Sequence, residues 1–482
     1  MKPFYITTTL PYVNSNPHVG FAMEIIRADA IARYKKLLGH EVFFNTGTDE
    51  HGQKIWQKAE EEGIDPQEYV NQYAKKFKDL IPLLNISEDI HFIRTTDEAH
   101  KKAAQEFWKR CAEKGDIYKK NYNIKYCVGC ELEKQDSDLD ENGKCQVHPH
   151  LELEIREEEN YFFKFSNYEE ALKNLYKDNP TLVIPDFRFN EIKSFVDRGL
   201  NDFSISRPKQ KMSWGVPVPG DDNHVMYVWF DALVNYISTL GWPDSENFKK
   251  FWEGGETVQY AGKDNLRQQS AMWQAMLMSA GIKNTDSIVI NGFINSGGQK
   301  MSKSLGNVIS PFDIVSEYGT DALRYYCLRE LSNFEDSDMT LERFKEIYNA
   351  NLANGLGNLV SRVMTMAVNN GIQARPQDLE NLEQKKYLPG LERYLKSFEI
   401  NKALDEIWEV IKEADTFIQT NQPFKKIKTD PAGGKINIET TLVYLIEIAT
   451  RLEPFLPETS FKIKSLIKEN KTPETPLFVR KD

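Results

Sequence analysis

The first forty-five residues constrain the fold more than any other part of this chain. Phe4 to Thr9 is a β-branched and aromatic run, and polar turn residues follow it. Asn16-Pro17 then stands ahead of a long amphipathic stretch from His18 to Leu38, which Gly39 closes before a second strand-like run from Glu41 to Asn45. Strand, helix and strand in that order predict the first half of a parallel nucleotide-binding sheet. Asn16 suits an N-cap, and Pro17 suits the first helical turn, where its missing N–H costs nothing. His18 then projects beside a helix N-terminus, where unpaired amides and the dipole attract phosphate. Gly20, lacking a side chain, lets a flat adenine approach the backbone. Taken alone, His18 could equally be a histidine that faces water.

A second element lies far downstream. Ser287 to Phe293 reads as a strand, and the glycine-rich stretch from Gly292 to Gly306 carries Lys300-Met301-Ser302-Lys303-Ser304. Asn295-Ser296-Gly297-Gly298-Gln299 is expected to be flexible, so Lys300 and Lys303 sit on a mobile tether. Two such ammonium groups can follow negative charge as it builds on a phosphoryl group and its departing pyrophosphate. The plain alternative is a charged surface loop. Between the two elements, Gly262-Lys263-Asp264 follows a strand ending at Tyr260, which puts the aspartate where it can accept hydrogen bonds from ribose hydroxyls. The combination points to ATP chemistry.

These separated motifs resemble those of the class I aminoacyl-tRNA synthetases, specifically the methionyl branch in its short bacterial form, with the match running from Tyr5 to about Ile467. The resemblance implies an α/β, Rossmann-like parallel-sheet catalytic domain in residues 1–118 and 224–296, split by a zinc-bearing connective insertion at 119–223. A lysine-loop and stem-contact region spans 297–350, and an all-α helical-bundle anticodon-binding domain spans 351–482. The sheet is expected to resume at Val225 to Phe230. An insertion of roughly a hundred residues is too small for the hydrolytic editing domain of the leucine, isoleucine and valine enzymes, so discrimination rests on the synthetic pocket.

By the same resemblance His18, Lys300 and Lys303 are catalytic, and Pro17, His18, Gly20, Gly262, Asp264, Lys300, Ser302 and Lys303 bind ATP with its Mg2+. Asp49, in Thr48-Asp49-Glu50-His51-Gly52, receives the ammonium of L-methionine, with Arg207 as its salt-bridge partner. Leu10, Tyr12, Trp229, Ala232, Leu233, Tyr236 and Gln269 surround the thioether, whose sulfur gains from ring-edge contacts. Without the family match, such an aromatic cluster is more often plain core. Asn358 and Arg362, four apart on one helix face, with Phe424 as a stacking ring, read the anticodon of methionine tRNA. Two departures stand out. Phe21 occupies the place of the second histidine in the family's first signature, and Gln269 that of a pocket histidine, with Gln268 replacing a nearby aromatic.

Cysteine usage is sparse and clustered. Of 5 cysteines, Cys127 and Cys130 form one x2 pair, and Cys145 and His148 form another fourteen residues on, which is the spacing of a tetrahedral structural zinc site. Solvated cysteines or a redox pair are the alternative. His148 is preferred to His150 because it completes the second x2 pair. Cys111 and Cys327 stand alone in helical patterns and read as core residues.

At 482 residues the chain exceeds one core and divides into several units. No run of eighteen apolar residues occurs, and Met1-Lys2-Pro3-Phe4 leads straight into a strand, so no membrane span or signal peptide is expected. A cytoplasmic monomer is anticipated. The net charge of -11 argues against indiscriminate nucleic-acid binding. Lys425-Lys426-Ile427-Lys428 can still supply phosphate contacts. Helical periodicity covers Leu341 to Asn369, Asn401 to Gln419 and Asn437 to Leu452, with Thr429 to Lys435 read as a loop. Two rival functions remain open, a tRNA-binding relative with impaired catalysis and a nucleotidyl transferase without a tRNA substrate. Replacing Lys303 by Ala is expected to lower adenylate formation far more than methionine affinity. Equal loss of both, measured by single-turnover kinetics and methionine titration, contradicts its assigned role.

Overall fold

Six short runs of β-branched and aromatic residues lie side by side: β1 (Phe4–Thr7), β2 (Val42–Thr48), β3 (His91–Arg94), β4 (Val183–Ile184), β5 (Glu256–Gly262) and β6 (Ser287–Asn291). In the computed structural model they form one sheet in the order β3-β2-β1-β5-β6-β4, parallel throughout. The structure describes every residue except Glu131, 135–137, 302–305 and Lys386, together with all side chains but those of these residues, Tyr122, Ile124, Leu132, Glu133 and 156–158. Phe4, Tyr5, Ile6, Ile288, Val289 and Ile290 are buried, as expected of strands covered on both faces. Strand order reverses between β1 and β5, which opens a crevice at their carboxyl ends.

Helix α1 (Val19–Leu37) crosses from β1 to β2. It departs from the amphipathic pattern expected of it, because Glu24, Arg27 and Asp29 are buried with its apolar residues. The sheet covers one side, and the chain around 324–333 covers the other. Arg27 donates to Asn291 Oδ1 and to the carbonyls of Cys327, Leu331, Ser332 and Asn333.

Val225 to Phe230 does not resume the sheet. The strand Asp221–Met226 pairs antiparallel with Ser206–Pro208 in a small separate sheet, and a helix begins at Val228. The first three residues of that strand are partly or fully exposed and the last three buried, and it is β5 that continues the main sheet. The segment between the sheet halves projects as an antiparallel ribbon, Ile117–Cys127 against Glu154–Phe163, then returns to supply β4 at the sheet's edge.

As far as Lys300, the lysine-bearing segment is a paired hairpin. Ile294–Ser296 pairs antiparallel with Gln299–Lys300 around Gly297 and Gly298, both at positive φ (63° and 74°), as a tight two-residue hairpin requires.

The C-terminal unit packs α2 (Asn358–Asn369), α3 (Ile400–Asn421), α4 (Pro431–Leu452) and α5 (Pro457–Glu469). Thr429 to Lys435 is no loop. Asp430 caps α4 by accepting from Gly433 N at 3.0 Å, Pro431 opens the first turn, and a Cβ on Gly434 would lie 2.3 Å from Ile427 Cα. The glycines serve a close approach of two helices rather than a turn.

Arg324 ties this unit to α1. Fully buried, it meets Asp29 at 2.8 Å and donates to the carbonyls of Leu84 and Phe455. Arg324→Leu strips a buried carboxylate of its buried partner, which destabilises the fold by about 3 kcal/mol or more. Urea unfolding checks this, and an unchanged midpoint contradicts it.

Candidate active site

The crevice at the strand-order reversal deepens into a cavity of ≈ 500 Å³, reached by the ends of β1 and β5, the start of α1 and the Lys300 hairpin. His18, rather than Asn16, caps α1, and Pro17 precedes the helix. The imidazole Nδ1 accepts the Gly20 N–H at 3.0 Å. A Cβ on Gly20 would stand 2.7 Å from His18 Cε1, so this glycine first of all makes room for the folded-back ring. Because Nδ1 accepts, the proton of the neutral ring resides on Nε2, which is left free to donate. Burial, and then the nearby Lys300 cation, lower the pKa of His18, so the ring is neutral at pH 7.

Lys300 lines the same cavity. Its ammonium lies 5.1 Å from the centre of the Phe293 ring, and Asn307 Nδ2 donates to its carbonyl at 3.3 Å. Asp264 lines the same cavity with its carboxylate open to it. Surrounding protein raises its pKa, and Lys300 and Lys263 oppose that rise. A Cβ on Gly262 would fall 2.7 Å from Asp264 Oδ1, so Gly262 too is fitted to a neighbouring side chain. Pro17, His18, Gly20, Gly262, Asp264 and Lys300 all line this one space. Ser302 and Lys303 lie outside the described residues.

Sequence reasoning missed Glu24. One and a half turns after His18 on α1, it lines the cavity and accepts from Thr9 N at 2.8 Å and Thr9 Oγ1 at 2.6 Å. Burial raises its pKa to about 7, against the pull of the two Thr9 bonds. A carboxylate inside the apolar run from Phe21 to Ala32 was the available signal.

The turn Thr48–Gly52 presents Asp49 to the same cavity. Glu50, fully buried, accepts from Arg94 Nε at 2.7 Å, Arg94 Nη2 at 2.9 Å and the hydroxyl of Thr48 at 2.6 Å. Trp214 Nε1 donates to the Glu50 carbonyl at 2.6 Å. Gly52, at φ 115°, leaves space that a Cβ would take from the Tyr12 hydroxyl, 2.5 Å away. Leu10, Tyr12, Trp229, Ala232, Leu233, Tyr236 and Gln269 line the cavity beside Asp49. Gln269 Nε2 donates to Tyr236 Oη at 2.6 Å, so the phenolic proton is free to point elsewhere. Arg207 stacks at 4.1 Å on Tyr227 and donates to Ser204 Oγ and the Ser206 carbonyl, and it is not among the described residues lining the cavity. Phe21 reaches the cavity wall and packs edge-on against Phe77 at 5.3 Å.

The two x2 pairs converge as their spacing predicts. Cys127, Cys130, Cys145 and His148 bring one donor atom each within 4.8 Å of one another. His148 uses Nδ1, 3.1 Å from Cys130 Sγ and 3.9 Å from Cys127 Sγ, and Cys130 and Cys145 Sγ are 3.4 Å apart. Sulfurs on a common tetrahedral centre at a Zn–S distance of about 2.3 Å would be roughly 3.8 Å apart, so the donor set fits such an ion. A Cβ on Gly129 would strike the His148 ring at 2.7 Å. His150 is not in the cluster; its ring centre is 6.1 Å from that of His148. Gly129 and Cys130 also line the large cavity, so the knuckle forms part of its wall.

Asn358, Arg362 and Phe424 belong to the C-terminal unit and are not among the described residues lining the cavity. Asn358 and Phe424 are exposed, and Arg362 pairs with Asp415 of α3 at 2.7 Å.

The family described as tRNA synthetases class I (M) matches residues 4–148 and 132–364, and the anticodon binding domain of methionyl tRNA ligase matches residues 371–476. The methionine–tRNA ligase of Thermotoga maritima is 40% identical over 475 residues, covering 95% of this chain and 74% of that protein. That of Rhizobium meliloti is 40% identical over 478 residues, covering 97% and 92%. The structure of Mycobacterium tuberculosis methionyl-tRNA synthetase in complex with methionyl-adenylate superposes with a TM-score of 0.89 at 37% identity, over 97% of this chain and 94% of that one.

Glu24 gains its charge as pH rises through about 7, whereas His18 titrates below the ordinary histidine value. The rate of ATP turnover at this site is expected to change across pH 7 in the wild type and to lose that inflection in Glu24→Gln. An unchanged profile in the variant assigns the inflection to another group.

Proposed function

This chain belongs to the class I tRNA synthetases of the methionine type, and from that membership we propose how its cavity serves the reaction. The enzyme is a methionine–tRNA ligase. It activates L-methionine with ATP to methionyl-adenylate and pyrophosphate, then transfers methionine to the 3′-terminal adenosine of methionine tRNA.

Asp49 receives the methionine ammonium, and the thioether lies among Leu10, Tyr12, Trp229, Ala232, Leu233 and Tyr236. ATP lies along the other half of the cavity, its ribose beside Asp264 and Glu24 and its phosphates between His18 and Lys300. A carboxylate oxygen of methionine attacks the α-phosphorus; the new P–O bond forms as the bond to pyrophosphate breaks. Charge grows on the phosphoryl oxygens and on the leaving group. His18 Nε2–H and the ammonium of Lys300 meet that charge, joined by Lys303 through the resemblance, and positioning with electrostatics supplies the rate. Magnesium carried with ATP neutralises part of the triphosphate charge. In the second step a ribose hydroxyl of the terminal adenosine, the 2′-hydroxyl by analogy with class I, attacks the carbonyl carbon of the adenylate and AMP departs.

Zinc is the metal best suited to three thiolates and an imidazole, and it would keep the knuckle rigid where Gly129 and Cys130 meet the cavity. Asn358, Arg362 and Phe424 are the residues we assign to the anticodon. Phe424 keeps a stacking face in solvent, 44% exposed, with Lys425 beside it. Arg207 acts on the pocket through Tyr227. No helix among the described residues is long and apolar enough to cross a membrane, and the proposed setting is a cytoplasmic monomer.

One observation carries this reading: His18 and Lys300, 282 residues apart in sequence, line a single cavity together with Asp264 and Asp49. Pyrophosphate exchange into ATP across a panel of amino acids tests it. Exchange with methionine alone is expected; binding of methionine tRNA without exchange would instead favour an impaired relative, the rival that Phe21 and Gln269 suggest. Metal analysis of the purified chain is expected to find about one zinc per chain, lost in Cys127→Ser; full metal content in that variant removes the knuckle assignment.

A further inference from the structure

Beside Asp49 and the Trp229–Ala232 wall lies a buried histidine–aspartate contact that the reaction as described does not use. His51 Nδ1 meets Asp231 Oδ2 at 2.9 Å, with side-chain exposures of 3% and 0%. Among the described residues, no group bonds the second carboxylate oxygen, so His51 is the contact that holds Asp231. The two residues come from different halves of the chain. His51 sits two residues beyond Asp49 in the turn that presents the ammonium-binding carboxylate. Asp231 lies between Trp229 and Ala232 on the short helix Val228–Ala232, which supplies the wall of the side-chain pocket.

Each partner is fixed independently. On the His51 side, Trp214 brackets the turn, donating from Nε1 to the Glu50 carbonyl at 2.6 Å and accepting the Gly52 N–H at 3.4 Å. Its ring also meets the His51 ring edge-on at 5.6 Å. On the Asp231 side, Asn235 Nδ2 donates to the Ala232 carbonyl at 2.6 Å, and Asn45 Nδ2 on β2 donates to Asn235 Oδ1 at 3.3 Å. Each wall is thus held in place, and the His51–Asp231 contact is a direct polar bond between them.

We infer that His51 and Asp231 are positioning residues that set the separation between the Asp49 carboxylate and the Trp229–Ala232 wall, and so measure the length of the amino-acid side chain. Neither touches the reacting atoms. The inference rests on the placement of methionine given above, with its ammonium on Asp49 and its thioether against that wall. A chain with no editing domain needs such a gauge, because a hydrophobic pocket alone discriminates weakly between homologous side chains.

Asp231→Ala is the gentler disruption, since it removes the carboxylate where His51→Leu leaves a buried carboxylate without its partner. In pyrophosphate exchange with active-site titration, Asp231→Ala is expected to raise KM for methionine roughly ten- to a hundredfold, the scale of a misplacement near 1 Å. KM for ATP should stay within about twofold, the signature of a lost contact to one substrate. The preference for methionine over its longer homologue ethionine should fall. His51→Asn, whose amide nitrogen occupies the place of Nδ1, is expected to keep the methionine KM within about threefold. Cys111→Ala, in the same buried core but away from the cavity lining, should lower the melting temperature and leave both KM values unchanged.

A wild-type methionine KM and selectivity in Asp231→Ala overturn the inference, as does a parallel rise in both KM values. If Asp231→Ala does not fold, His51→Leu against His51→Asn carries the comparison, and equal methionine KM values overturn it. Failure of the wild type to exchange with methionine would strike the functional assignment itself, whereas normal wild-type exchange with indifferent variants strikes only the gauge.

Discussion

Helix α1 is buried on nearly every side, yet it carries charged groups along its length, and each must find a partner inside the protein. An unsatisfied buried polar group costs about 1–3 kcal/mol, more when charged. His18 is answered by Gly20 N, Glu24 by Thr9, Arg27 by Asn291 and four carbonyls, and Asp29 by Arg324, Arg33 and Ser87. Sliding the helix by one residue would break the contacts of Glu24 with Thr9, of Arg27 with Asn291 and the four carbonyls, and of Asp29 with Arg324 and Ser87 at once. That requirement locks α1 in one register against the sheet below and the chain near 324–333 above.

Function follows from the same lock. The end of α1 that opens onto the crevice delivers His18 and Glu24, while its middle grips the segment leading into the C-terminal helices. Asn291 stands where the two roles meet, accepting from Arg27 with Oδ1 and lining the cavity at the end of β6. The hairpin that brings Lys300 follows three residues later. A cation buried on one helix therefore holds the strand end from which the cationic hairpin starts. Burial pushes the pKa of Arg27 down to about 10, which leaves it charged at pH 7.

Much of this was legible from short-range pattern. The crossover from β1 through α1 to β2, the pairing of Cys127-x2-Cys130 with Cys145-x2-His148, and the long C-terminal helices depend on local spacing that sequence displays. What sequence hid was decided by distant partners. Val225 to Phe230 looks like a sheet strand because its residues favour extended backbone, but Ser206–Pro208 captures its first half and the rest turns helical. Pro431, Gly433 and Gly434 look like a loop until Ile427 is seen to press against them. Glu24 and Arg27 read as the wet face of an amphipathic helix, because only the folded chain shows what covers them. Gly20 was assigned to adenine, yet its nearest neighbour is the His18 ring.

The convergence of His18 and Lys300 on one nucleotide is tested most directly by a crystal structure of the full chain with methionine and a non-hydrolysable ATP analogue. His18 Nε2 and Lys300 Nζ should each lie within about 3 Å of oxygens of the same triphosphate. A triphosphate bound against one of these groups while the other faces a separate surface would contradict the account.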